Sequence, residues 1–421
     1  MNSIEKIKTY EVLDSRGIAT VRVKLLDKLG NEGTFTVPSG ASTGKREALE
    51  LRDKNSNYYQ GKGVKEAIKN IQTKLKPLIL NFPLSQQRAL DKLLIKTDGT
   101  ENKSNLGANA ILAVSGAYMV LSAKAKKNEL FYQLGGEFAE DLPIPLINVI
   151  NGGMHASNNL NFQEFMIIPS SFTTFSEAIE RSSSVFYYLK SILIRQGKEV
   201  GLGDEGGFNS YFENNEEALR TLTEAIKQSG CSTTDFKIAL DCAASEFYFP
   251  ERKAYKIYKN KDIFLNTNEM INYLSRLVEQ FPIVSIEDPL SEEDKEGWKL
   301  LMKHPVLNKI QIVGDDIFVT NPKLLEEGIK DKLANSILIK PNQIGTISET
   351  LETIRIAKRA GWKVVISHRS GETGDTFISD FSVGVGGDRI KTGSVNRGER
   401  TEKYNRLIEI ETDYKLRLKK F

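Results

Sequence analysis

Three acidic residues close three successive apolar runs: Asp241 in FKIALD, Glu287 in PIVSIED and Asp315 in IQIVGDD. Carboxylates are hard oxygen ligands, and three of them meeting at one point suit Mg2+, which prefers carboxylate, water and substrate oxygens to His or Cys. A single acid at the end of an apolar run reads as a helix N-cap or a loop charge. Three in register across consecutive units read as a ligand set. Asp316 beside Asp315 reads either as the cap of the next helix or as a group behind the ligands. Lys340 in SILIKPN stands at the same register, so its side chain is expected in the same cavity. Neighbouring cations there would lower its pKa toward the neutral amine that a proton-abstracting base requires. A salt bridge to a neighbouring carboxylate is the alternative. His368, Arg369 and Ser370 in SHRSGET place a cation and a hydroxyl for a phosphoryl or carboxylate group, and Lys391 in RIKTG adds another point charge. A lysine base, a divalent cation and anion clamps together suit abstraction of a proton next to a carboxylate. Elimination of hydroxide from the adjacent carbon then needs a general acid. Glu205 in the glycine-rich GDEGGF and Glu164 in FQEFMIIP are the carboxyl groups left for it.

These side chains converge only if the runs that end in them are strands of one sheet. The polar ends fall at 287, 315, 340, 368 and 391, and amphipathic helical segments such as NEMINYLSRLVEQF and ISETLETIRIAKRAG fill the gaps. A βα unit about every 25 residues is the rhythm of a parallel (β/α)8-type barrel, whose active sites lie at the C-terminal strand ends. A doubly wound open sheet is the alternative on spacing alone. Before this region, KIKTYEVLD, ATVRVKLLD and EGTFTVP read as a three-stranded antiparallel meander, and the pattern turns helical from Gly61 to about Leu134. The expected organisation is an α+β N-terminal domain over residues 1–136 followed by a barrel domain over 137–421.

Between meander and helices lies VPSGASTGKREALE, which looks like a phosphate loop and fails as one. Gly40 and Gly44 enclose three residues where the nucleotide motif needs four, and Arg46 stands where Ser or Thr must meet magnesium. Composition narrows the classes further. Among 421 residues the net charge is +3, too small to argue for nucleic acid, and two cysteines are too few for a disulfide framework. The first residues carry charges where a signal peptide needs an apolar run, and no uninterrupted apolar stretch reaches membrane length. The expected location is cytoplasmic; a surface or secreted pool is not legible in the residues.

The segments VPSGASTG, DGTENKSNLGANAIL, NVINGGMHA, QEFMI, GDEGGF, LDCAASEF, SIEDP, VGDD, IKPNQIGT, SHRSGET and IKTG occur in one order from residue 14 to about 411. In them the chain resembles the enolases (phosphopyruvate hydratases), of bacterial type. The resemblance implies reversible dehydration of 2-phosphoglycerate to phosphoenolpyruvate, with two Mg2+ per active site, the second arriving with the substrate. It implies Asp241, Glu287 and Asp315 as ligands of the first ion and Ser42, in a mobile lid, as a ligand of the second. It implies Lys340 as base, Glu205 as acid, Glu164 in support, and Gln163 and His155 on the substrate. Arg369 and Ser370, with His368 beside them, correspond to the phosphate clamp and Lys391 to the carboxylate partner. A homodimer, or an octamer of dimers, is implied as well. The chain departs from the family pattern at Ile18–Ala19, where a proline is lost, at Gly374 and at Asn209–Ser210, none of them a residue given a chemical role.

Overall fold

Residues 2–41 and 43–421 are described by a computed structural model of the chain. Ser42, the expected ligand of a second cation, lies outside the described residues. The alternation anticipated near the N-terminus is present. Strand Ala19–Asp27 buries Ala19, Val21, Val23 and Leu25 on one face and pairs antiparallel with both Ile4–Leu13 and Glu32–Thr36. Helix Ala108–Ala125 lies across that face, almost wholly buried. The approach is close because glycines permit it: a Cβ on Gly33 would sit 2.3 Å from Ala117 O, and one on Gly116 2.5 Å from the Phe35 ring. This helix is the one among the described residues long and apolar enough to cross a membrane, but 83% of its apolar window is buried inside the protein. Its hydropathy is that of a core helix packed on a sheet.

Eight strands then close a barrel in the chain order Ile144–Asn151, Glu164–Pro169, Phe236–Asp241, Ile283–Glu287, Gln311–Gly314, Ser336–Ile339, Lys363–Ser367 and Arg389–Lys391. Hydrogen bonding wraps from the last strand back to the first, so no edge is left unpaired. The barrel expected from the spacing is therefore present, with one departure from uniform βα repetition. Strand Glu164–Pro169 runs antiparallel to both of its neighbours. Only a short 3-10 turn and loop join it to Ile144–Asn151, and a parallel return needs a crossover long enough for a helix. The reversal puts the start of this strand, not its end, at the mouth where the other strands finish. In register, Glu164 sits between Asn151 and Asp241.

The crossover helices carry the capping chemistry that their sequences announce. Asn266 and Glu269 form a reciprocal capping box at helix Thr267–Gln280, and Thr346 accepts from Glu349 N at helix Ile347–Arg359. Each such cap is worth about 1 kcal/mol. It also fixes where a strand-end loop stops, and hence where the polar residue at that strand end is held.

Candidate active site

Strand register brings the acids together. Asp241 and Glu287 are paired neighbours on adjacent parallel strands, and Asp315 follows the end of the next strand. Lys391, from the last strand, reaches into the middle of them. Its Nζ lies 2.8 Å from Glu287, 3.0 Å from Asp241 and 3.1 Å from Glu164, all four side chains being buried. Burial opposes the ammonium, but the surrounding carboxylates outweigh it and hold Lys391 well above the ordinary lysine range. Gln163 Nε2 faces Asp241 at 3.4 Å.

Lys340 is where its register places it, in the salt bridge that was one of the two arrangements expected. Its ammonium donates to Asp315 Oδ2 at 2.5 Å, and Gln343 Nε2 donates to the other oxygen at 2.8 Å. Burial pulls the lysine down; Asp315 and Glu287 outweigh it, against Arg369 and Lys391, so Lys340 sits above its usual value. The salt-bridge alternative is the arrangement present.

Across the cavity four titratable groups lie close together: His155, Glu164, Glu205 and His368. One ligand atom each of His155, Glu164 and Glu205 lies within 4.8 Å of the others. The tautomer of His368 follows from its partners. Arg400 can only donate, and its guanidinium lies 2.6 Å from His368 Nδ1, so the proton of the neutral ring is on Nε2, which faces Glu205 Oε1 at 3.3 Å. Burial keeps that ring neutral, pushed down to about 4. Glu205 also accepts from Asn148 Nδ2 at 3.0 Å. Burial would raise the Glu205 carboxyl, but the two histidines and Arg400 overcome it and hold it well below the usual range. Glu164 is driven the opposite way, well above the usual range, first by burial and then by Glu205. The two carboxyls are therefore pushed in opposite directions, the environment-driven split that acid–base sites use.

His368 gives a stability prediction. Its folded-state pKa of about 4 lies below its ordinary value of 6.5, so on acidification the unfolded chain binds the proton first. The stability linked to this ring is complete above about pH 6.5 and is lost between about 6.5 and 4, by up to about 3 kcal/mol. Glu205 adds the same sign at lower pH and Glu164 opposes it. Urea titrations across this window are expected to show a shallower pH slope in His368→Asn than in the unsubstituted protein.

The loop that fails as a nucleotide motif packs over the clamp residues. Ser39 and Gly371 exchange backbone hydrogen bonds at 2.8 Å, Ala41 N donates to Ser370 Oγ at 2.6 Å, and Glu47 pairs with Arg369 at 3.0 Å. Residues 39–41 and 43–47 thus form a cover latched to Arg369 and Ser370. Three supporting groups escaped sequence reading. Arg400, fully buried in helix Gly398–Tyr414, donates to the carbonyls of Arg369 and Ser370, both at 2.7 Å, and so bolts the clamp to the helix. Its position in phase with Lys403, Tyr404, Leu407 and Ile410 on the buried face was the available signal. Asp288, at φ 41, accepts from the backbone N–H of Asp315 and Asp316, both at 2.9 Å, and sets the turn that aims Asp315. Glu47 is the third.

Carboxylates outnumber cations at the mouth. Glu164, Asp241, Glu287 and Asp315 are served by Lys391 and Lys340 alone among the described ion pairs of these four acids, apart from the histidine near Glu164. Burial, with Asp241 and Asp315 adding their repulsion, pushes Glu287 well above the usual range. Glu164 Oε2 and Gln163 Oε1 are buried acceptors with no hydrogen-bond partner among the described residues. Oxygen donors and surplus negative charge are what a hard divalent cation requires. Among the described residues the groups close enough to share one are Asp288, Asp315 and Asp316, and Glu164 and Glu205 with His155, while Asp241 and Glu287 are bridged by Lys391.

A closed barrel with buried lysines and acids around one cavity at its C-terminal mouth defines an acid–base barrel enzyme fold with a place for a cation. The family can be stated as well. The model "Enolase, N-terminal domain" matches residues 4–134 and "Enolase, C-terminal TIM barrel domain" matches residues 139–417, so the chain belongs to the enolase family.

Proposed function

We propose that this protein catalyses the reversible, Mg2+-dependent dehydration of 2-phosphoglycerate to phosphoenolpyruvate through an enolate intermediate, as a glycolytic carbon–oxygen lyase. The observation that carries this reading is the opposition, across one buried cavity, of Lys340 to the Glu164–Glu205 pair. Asp241, Glu287 and Asp315 would hold Mg2+, which would supply positive charge against the doubly negative enolate carboxylate. Lys340 Nζ, released as the neutral amine, takes the C2 proton, and the electron pair left on C2 enters the carboxylate. Glu205 is the acid that protonates the departing C3 hydroxyl, and water leaves. Glu205 takes that proton from Glu164, which holds it before reaction and lies within 4.8 Å, and His155 closes on the substrate beside both carboxyl groups. Gln163 contacts substrate beside Asp241.

Arg369 and Ser370, with His368 behind them, bind the phosphate once Glu47 and Ala41 of the cover yield those contacts. Lys391 partners the substrate carboxylate. Ser42 is the proposed ligand of a second Mg2+ arriving with substrate. Residues 1–136 act as the capping domain and 137–421 as the catalytic domain of a cytoplasmic homodimer, or of an octamer of such dimers. Absorbance of the enol phosphate is expected to rise when the purified protein meets 2-phosphoglycerate and Mg2+, and to stop rising when EDTA is added. No rise under those conditions overturns the reading.

A further inference from the structure

At the opposite end of the barrel the strands begin, and there the chemistry is unlike that of the mouth. A cavity of about 500 Å3 opens between strand starts. Its walls carry Lys309, Lys363, Arg389, Lys419 and Lys420 against one acidic side chain, Asp388. That carboxylate is already engaged: Lys363 donates to Oδ1 at 3.2 Å and Val364 N to Oδ2 at 2.9 Å. Arg389 has no carboxylate within salt-bridge distance among the described residues, and its guanidinium donates to the Gln311 side-chain carbonyl. Burial depresses it to about 10 although Asp388 is near, the mark of an under-compensated cation.

Donors exceed acceptors here. Gln311 Nε2 is buried with no hydrogen-bond partner among the described residues. Lys419 spends two N–H groups on the carbonyls of Gly386 and Gly387, at 2.9 and 2.8 Å, which leaves it a third. Above Arg389 lies the ring of Phe421, 5.2 Å from the guanidinium and 52% exposed, while Ile144, Val284 and Ile310 line the wall.

We propose that this floor cavity binds a phosphorylated small molecule with a flat apolar body. The phosphoryl oxygens accept from Arg389, Gln311 and Lys419, and the body lies against Phe421 and the apolar wall. Several convergent donors around under-compensated positive charge favour a dianionic group with three acceptor oxygens over a lone carboxylate. The cavity holds none of the residues assigned to the proposed reaction, so its test reads binding and is independent of turnover.

The probes are AMP and inorganic phosphate, titrated calorimetrically into the Mg2+-equilibrated protein. AMP is expected to bind saturably, at least about tenfold more tightly than phosphate, and more weakly as salt is raised. Arg389→Met and the charge reversal Lys309→Glu/Lys420→Glu are expected to weaken AMP by about tenfold or more, whereas Arg369→Gln at the mouth leaves it unchanged. Lys309 and Lys420 are exposed, so the double variant tests the site even if Arg389→Met fails to fold. No saturable AMP binding, loss of binding with Arg369→Gln but not with the floor variants, or equal affinity for phosphate and AMP would each overturn the proposal.

Discussion

Lys340→Ala is expected to lower kcat for 2-phosphoglycerate dehydration by about a hundred- to ten-thousand-fold, the contribution of a positioned general base. The expectation follows from position and charge together. Lys340 follows strand Ser336–Ile339 at the mouth, part-buried among Asp315, Glu287, Arg369 and Lys391, so bulk water is a poor substitute for its amine. Alanine also strands Asp315, which confounds loss of a base with loss of an ion pair. Lys340→Arg separates the two. It keeps a cation beside Asp315 but cannot give up its proton near neutral pH, so it is expected to fold, to bind cation and to remain as inactive as the alanine variant. Recovery of more than a few per cent of kcat in Lys340→Arg would mean that the charge, and not a transferable proton, is what the position supplies.

The second large effect is on stability. Lys391→Met leaves Glu164, Asp241 and Glu287 buried beside one another without their shared ammonium. Removing one partner of a buried charge network costs about 3–5 kcal/mol, because desolvated charges are left uncompensated. In EDTA the variant is expected to unfold at markedly lower urea than the unsubstituted protein. Since its carboxylates then lack any other cation, Mg2+ is expected to restore more stability to Lys391→Met than it adds to the unsubstituted chain. An equal Mg2+ increment in both proteins would show that the ion does not engage the acids that Lys391 bridges.

How much of this was legible in the chain depends on the interaction involved. Asp241, Glu287, Asp315, Lys340 and Lys391 could be read because each ends an apolar run, and parallel strands carry such ends to one mouth. Glu164 obeys the opposite rule, preceding its run, because its strand is reversed by a connection too short for a crossover. The ion pair of Lys340 was legible only as one of two alternatives. It depends on an Asp315 oxygen 2.5 Å away, a tertiary distance that strand periodicity does not encode. Arg400, Asp288 and Glu47 were missed for a related reason: they act on backbone carbonyls, backbone N–H groups and a guanidinium brought near only by folding. The cover over Arg369 looked like a phosphate loop because small residues serve any backbone that must lie close to a neighbour. In this fold the neighbours are Ser370 and Gly371.

The central claim, that Lys340 withdraws the C2 proton while the acids opposite it serve the C3 hydroxyl, is tested most directly by NMR of 2-phosphoglycerate in deuterated buffer with Mg2+. The C2 proton signal is expected to wash out with the unsubstituted protein and with Glu205→Gln, in which C2 is still ionised but hydroxide leaves poorly, and to persist with Lys340→Ala. Washout that survives in Lys340→Ala, or that disappears in Glu205→Gln while Lys340 is intact, contradicts the assignment.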